Sequence, residues 1–147
     1  MFIVIVEDNI LTAKVVMKRL ELNGYTDVEH FDNGMDCLLQ VYEKRTPDVV
    51  IMDYHLGLVN GVEIMQKIKA YKPELRVILM SGQSEINVAV ESIKKGAREY
   101  IRKDVDLHYT KLLSVLKEIE EEIAKEKENK PIKKIIGKVK DFLTDND

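Results

Sequence analysis

Five polar side chains stand where strand-like runs of the sequence end. Glu7 and Asp8 follow Phe2–Val6, Asp53 closes "DVVIMD", Ser81 closes "LRVILMS", and Lys103 lies just past a brief run at Glu99–Ile101. Three carboxylates converging on one place repel one another unless a cation sits among them. A hard, oxygen-liganded ion of the Mg2+ type relieves this with one or two direct carboxylates, water and a phosphate. Asp53 stands alone on its strand end, which suits a nucleophile toward a phosphoryl group. Transfer to a carboxylate needs positioning and charge neutralisation more than covalent help from the protein. A metal covers part of the phosphoryl oxygens, the Lys103 ammonium can pair with another, and the Ser81 hydroxyl can donate to a third. Singly, each residue has a plainer reading: Asp8 or Asn9 as a helix N-cap, Ser81 as a cap or turn residue, Lys103 as a solvated charge. Their joint placement at strand ends is what favours chemistry.

That placement requires particular elements. Phe2–Val6 is a short β-branched and aromatic run, fit for a strand buried on both faces. Leu11, Val15, Val16, Leu20 and Leu22 fall near helical spacing, and Asn23–Gly24 stops that helix. A weak strand at Val28–Phe31 precedes a second helix with Met35, Leu38, Leu39 and Tyr42 on its pattern. After Pro47 comes the strongest buried-strand signal, Asp48–Asp53, then a loop, "YHLGLVNG", with Gly57 and Asn60–Gly61 as turn residues. A third helix carries Val62, Met65, Ile68 and Lys69; a fourth strand spans Leu75–Ser81; a fourth helix runs Ile86–Ile93 and is closed by Gly96. A fifth strand, Glu99–Ile101, leads to a helical pattern from Asp106. Five strands alternating with helices through short connections predict a parallel α/β sheet covered on both faces. In such sheets, ligands sit beyond the carboxyl ends of the strands, near the switch in strand order. The five polar residues fall there.

Composition narrows the classes. The 147 residues allow one domain with a proper core, and 45% hydrophobic content argues against disorder. A net charge of −3 gives no overall basic field for nucleic acid. The single Cys37 rules out an internal disulfide, suits a reducing cytosol and reads as a small core residue. The start, "MFIVIVEDN", lacks a basic leader region, and no stretch nears the roughly 20 apolar residues of a membrane span. The expectation is a soluble cytoplasmic protein that is not an enzyme.

Several of these pieces together resemble the receiver domain of two-component response regulators, over roughly residues 1–124. They are "VEDN" after the first strand, "DVVIMD" followed eight residues later by Gly61, "ILMSG" on the fourth strand and "KKGAREYIRKD" around the fifth. The resemblance implies a flavodoxin-like, doubly wound fold with strand order 2-1-3-4-5. It implies that Asp53 accepts a phosphoryl group from a histidine kinase or phosphotransfer protein. Glu7, Asp8, Asp53 and the backbone carbonyl of His55 would hold Mg2+, while Ser81 and Lys103 contact the phosphoryl oxygens. It further implies a switch in which Ser81 is drawn inward and the aromatic of the fifth strand, here Tyr100, moves to a buried position. The surface that changes is formed by the fourth helix, fifth strand and fifth helix, a candidate homodimer face.

The sequence departs from that family in places. Asp104 follows Lys103 where the family has a proline after a cis bond, and a cis bond without proline costs about 2.5–4 kcal/mol. Either the pocket enforces that bond or the loop runs differently. Gly57 stands where a proline is common. His55 and Gln83 occupy the two positions that flank the path of the hydrolytic water, so the family places lifetime tuning there; His55 reads as a general base or, more simply, as a steric or hydrogen-bonding group. His30, His55 and His108 show no metal-site spacing.

Beyond the receiver, residues 125–147 read as a charged linker, "KEKENK", then an amphipathic helix begun by Pro131. Leu112, Leu116, Ile119 and Ile123 predict that the fifth helix is long before the charges end its seam. Ile132, Ile135, Ile136, Val139, Phe142 and Leu143 fall on one face of the tail, with Lys133, Lys134, Lys138 and Lys140 largely elsewhere. Its expected cover is its own domain, a second copy, a downstream protein partner or a membrane surface. The tail is too short for a winged-helix module and lacks a basic recognition pattern, so no nucleic-acid contact is expected from this chain. Three functions compete: a phosphorylated switch, a receiver-like scaffold that binds partners unmodified (or the receiver part of a longer DNA-binding regulator), and a Mg2+-dependent small-molecule phosphatase. The last usually needs a second acid where His55 stands, and a substrate cap.

Overall fold

The computed structural model describes residues 1–82, 86–103 and 106–144, the side chains of 106–108 excepted. Gln83, Asp104 and hence the Lys103–Asp104 bond lie outside the described residues, as does the His108 side chain. The chain divides into two units, Met1–Leu113 and Ser114–Asp147.

The first unit is built on β1 (Ile3–Val6), β2 (Val28–Phe31), β3 (Val49–Asp53), β6 (Arg76–Ser81) and β7 (Glu99–Arg102). They form one parallel sheet in the order β2-β1-β3-β6-β7. Counting the strands of this sheet alone, that order is 2-1-3-4-5, the flavodoxin-like arrangement expected. The segment expected as a loop after Asp53 holds a two-residue hairpin, β4 (His55–Leu56) with β5 (Val59–Asn60). Gly57 turns it at φ +66°, a conformation that favours glycine, and this explains Gly57 at a position where proline could not adopt that angle.

Every residue of β1 and β3 is buried, as continuous apolar runs in a doubly covered parallel sheet should be. The covering helices are α1 (Ile10–Leu22), α2 (Gly34–Glu43), α3 (Gly61–Tyr71) and α4 (Ile86–Lys94). Asparagine starts three of them. The side chains of Asn9, Asn33 and Asn60 accept from the backbone N–H of Thr12, Asp36 and Glu63 at 3.0, 2.9 and 3.0 Å. The N-cap of α1 is therefore Asn9, and Asp8 is left for other work.

The faces of α1 and α2 differ from the expectation. Ala13, Val16 and Leu20 of α1, and Cys37, Leu38 and Val41 of α2, are buried. Leu11 and Leu22 are 71% exposed, and Val15, Met35, Leu39 and Tyr42 are exposed as well. Leucines stand on both sides, Leu20 and Leu38 buried and Leu11, Leu22 and Leu39 exposed, so the phase of each helix and not side-chain size decides which residues are covered. Cys37 is fully buried, and burial pushes its thiol up to about 12.

The helix α5 runs unbroken from Asp106 to Thr144, with Pro131 inside it. The expected linker at Lys125–Lys130 and the new helix at Pro131 are thus replaced by one continuous element. A proline removes one i→i−4 hydrogen bond and crowds the preceding turn. The Glu- and Lys-rich segment before it is dominated by strong helix formers that carry the helix through. In the second unit Val115, Leu116 and Ile119 are buried.

Candidate functional site

The parallel strands all end at one sheet edge, and the predicted residues meet there. Glu7 follows β1 directly and is 4% exposed; Asp53 is the last residue of β3 and 7% exposed; Ser81 ends β6 and is fully buried. Glu7, exposed Asp8 and Asp53 each place a carboxylate oxygen within 4.8 Å of the others. Lys103 reaches in from beyond β7. Its ammonium contacts Glu7 Oε2 closely and Asp53 Oδ1 at 3.0 Å. Its own backbone N–H donates to Ser81 O at 2.8 Å, which ties the end of β7 to the end of β6.

The pocket holds three acids against one ammonium. Burial pushes the Glu7 carboxyl above the ordinary 4.5 of a glutamate. The ion pair with Lys103 and the Asn9 N–H, which donates to Glu7 Oε1 at 3.0 Å, pull the other way, and the like charge of Asp53 adds to the rise. An acidic, all-oxygen donor set with a deficit of positive charge fits a hard divalent cation.

Main-chain groups hold the pocket. The His55 N–H donates to Asp53 Oδ1 at 3.2 Å and the Tyr54 N–H to Met80 O at 2.8 Å. A His30 Nε2 lies 2.8 Å from Glu7 O and fixes the turn after β1. Gly61 packs on the Asp53 peptide while its N–H donates to Tyr54 O at 2.7 Å. A Cβ on Gly61 would sit 2.3 Å from Asp53 O and 3.2 Å from a Leu79 methyl. Gly61→Ala therefore forces the end of β3 to move. We expect it to cost about 2–4 kcal/mol in urea denaturation, the sum of overpacking and a weakened hydrogen bond. A loss under about 0.5 kcal/mol, the range of ordinary surface changes, would contradict this close contact.

The other expected residues fall nearby. Tyr100 is buried on β7, its ring 6.5 Å from that of Tyr54, edge to face. The exposed His55 ring packs edge-on against Tyr54 at 4.8 Å. The anchoring by Tyr54, the His55 N–H and His30 is absent from the sequence reading. Its main-chain parts have no sequence signal, because any residue supplies an N–H or a carbonyl. A His at the neighbouring strand's end was the only visible hint.

The model of the response regulator receiver domain family matches residues 3–117. This chain belongs to that family. It is 33% identical over 104 residues to the transcriptional regulatory protein ZraR of Klebsiella oxytoca, covering 71% of this chain and 23% of that protein. The receiver thus spans about a quarter of the length of that curated relative. Among solved structures, it is similar to a CheY-like receiver domain protein from Methanospirillum hungatei (27% identity, 84% and 96% of the two chains, TM-score 0.73). It is also similar to a response regulator protein from Burkholderia pseudomallei (25% identity, 88% and 74%, TM-score 0.67), which was solved with a phosphorylated aspartic acid, a calcium ion and citrate. The receiver is a module of two-component signalling, and its relatives include bacterial transcriptional regulators. Among the described residues no helix is long and apolar enough to cross a membrane.

Proposed function

We propose that this receiver is a phosphorylation-operated switch, with Asp53 as acceptor. The observation that carries the reading is the buried Asp53 carboxylate, held beside Glu7, Asp8 and the Lys103 ammonium at the sheet edge. An Asp53 oxygen forms a bond to phosphorus as the bond from phosphorus to the donor breaks. The donor is a phosphohistidine of a kinase or phosphotransfer protein, and its imidazole leaves with that electron pair. Lys103 neutralises charge on the transferred group, and the Ser81 hydroxyl donates to it. Glu7, Asp8, Asp53 and the His55 carbonyl would hold Mg2+, which supplies the remaining positive charge when bound. The phosphorylated aspartic acid and calcium ion of the Burkholderia relative support this reading.

In this reading residues 1–124 form the receiver and 125–147 the tail, and the protein works in the cytoplasm. It signals rather than turning over a diffusible substrate. Ser81 and Tyr100 pass the modification to the α4, β7 and α5 face, where a second copy or a downstream protein docks. His55 and Gln83 set the lifetime of the modified state. Because the chain spans only 23% of ZraR, a second reading is that it serves as the receiver part of a longer DNA-binding regulator. In both readings this chain itself makes no nucleic-acid contact.

The test is intact-mass spectrometry after incubation with acetyl phosphate. One phosphoryl group is expected with Mg2+ and none with a chelator. An unmodified protein, together with no Mg2+ binding in a titration, would sink the switch in favour of an unmodified scaffold.

A further inference from the structure

We propose that the distal part of α5, Ile132–Leu143, docks on an anionic lipid surface. This rests on the helix alone and not on the phosphorylation reading. Ile132, Ile135, Ile136, Val139 and Leu143 are each between 49% and 63% exposed. At 3.6 residues per turn they fall within an arc of about 100°, a continuous apolar stripe. Lys133 and Lys140 border that stripe on one side and Lys138 on the other. Lys130 and Lys134 lie behind it, and Gly137 falls on the polar side, so its missing side chain leaves the stripe unbroken.

Charge identifies the cover. Residues 130–144 contain five lysines and one acid, Asp141. The remaining residues hold 18 Lys and Arg against 25 Asp and Glu, a net of −7, so the basic charge is concentrated on this segment. A second copy of the stripe would bring a +4 segment against another +4 segment. An anionic bilayer surface offers apolar chains to the stripe and phosphates to lysines on both borders. Lysine stems lie along the apolar layer while their ammonium groups reach the headgroups. The stripe covers one side only, so the helix lies in the surface plane and does not span.

The experiment is co-sedimentation of the full chain with vesicles of phosphatidylglycerol and phosphatidylcholine, beside vesicles of phosphatidylcholine alone. Binding to the anionic vesicles is expected, with little to the neutral ones. Lys133→Gln, Lys138→Gln and Lys140→Gln together should weaken it about 100-fold, since each lysine near such a surface is worth roughly a factor of five. Ile136→Ser with Val139→Ser should weaken it at least about tenfold. All five positions are exposed, and helix content by circular dichroism checks that each variant folds. No binding to anionic vesicles, equal binding to neutral ones, or native-like binding by the serine variant would each overturn the proposal. A pull-down by an acidic protein, or self-association by light scattering, with no vesicle binding would overturn it in favour of that occupant.

Discussion

Asp53→Asn should stay folded and take up no phosphoryl group, giving the same mass with acetyl phosphate and Mg2+ as with a chelator. The amide keeps the shape of the carboxylate and keeps an oxygen for the His55 N–H, which donates to Asp53 Oδ1 at 3.2 Å. It lacks the anionic oxygen that attacks phosphorus. Stability should not suffer. The Lys103 ammonium retains Glu7, and the repulsion between two carboxylates, Glu7 and Asp53, disappears. If the variant still gained a phosphoryl group, the acceptor would be another carboxylate of the pocket, with Asp8 and Glu7 the nearest candidates. A variant that failed to fold would show instead that Asp53 is needed for the architecture itself.

Lys103→Gln should lower the stability of the metal-free protein through charge alone. Glu7 and Asp53, both buried, would be left near one another with no cation between them. Removing one partner of a buried ion pair costs about 3–5 kcal/mol; the Lys103 side chain is 18% exposed, so about 2–3 kcal/mol is expected here. Two conditions should relieve the loss. Mg2+ should stabilise the variant more than the native protein, because it meets uncompensated carboxylates. Acid should relieve it too. Glu7 already titrates above its ordinary 4.5 through burial, and without the pull of Lys103 it titrates higher still. Above 4.5 the folded state then binds more protons than the unfolded state, so stability falls as pH rises. The gap between variant and native protein should therefore narrow as pH is lowered from about 7 to about 5. Urea denaturation in chelator at both pH values checks this. A gap that stayed constant would mean that Lys103 acts through packing and not through charge.

The strands were legible because a doubly covered parallel sheet demands unbroken apolar runs, and β1 and β3 have them. The carboxylates and Lys103 were legible because their types and strand-end positions survive any small error in element boundaries. Helix faces were harder. In α2 the buried side chains centre on Cys37, Leu38 and Val41, while bulky Met35 and Tyr42 lie outside. Size alone misplaces such a face, because neighbouring Leu38 and Leu39 are equally large and only Leu38 is buried. Gly61 carried a turn signal, yet its role is to admit the Asp53 carbonyl where a Cβ would stand. That depends on a tertiary approach with no sequence period. Pro131 misled for the opposite reason: a local breaker was outweighed by helix formers before it.

The buried Cys37 has a practical consequence. With its thiol pushed up to about 12 by burial and its sulfur covered, Cys37 stays a protonated, inaccessible thiol at neutral pH. Maleimides and mild oxidants should pass it by in the native state. A cysteine introduced on an exposed position, such as Lys134 on the tail or Glu91 on α4, would then be the one reactive thiol in the chain. Fluorophores or spin labels could be placed there in the otherwise native protein, and the two units followed separately as Mg2+, phosphoryl donors or vesicles are added.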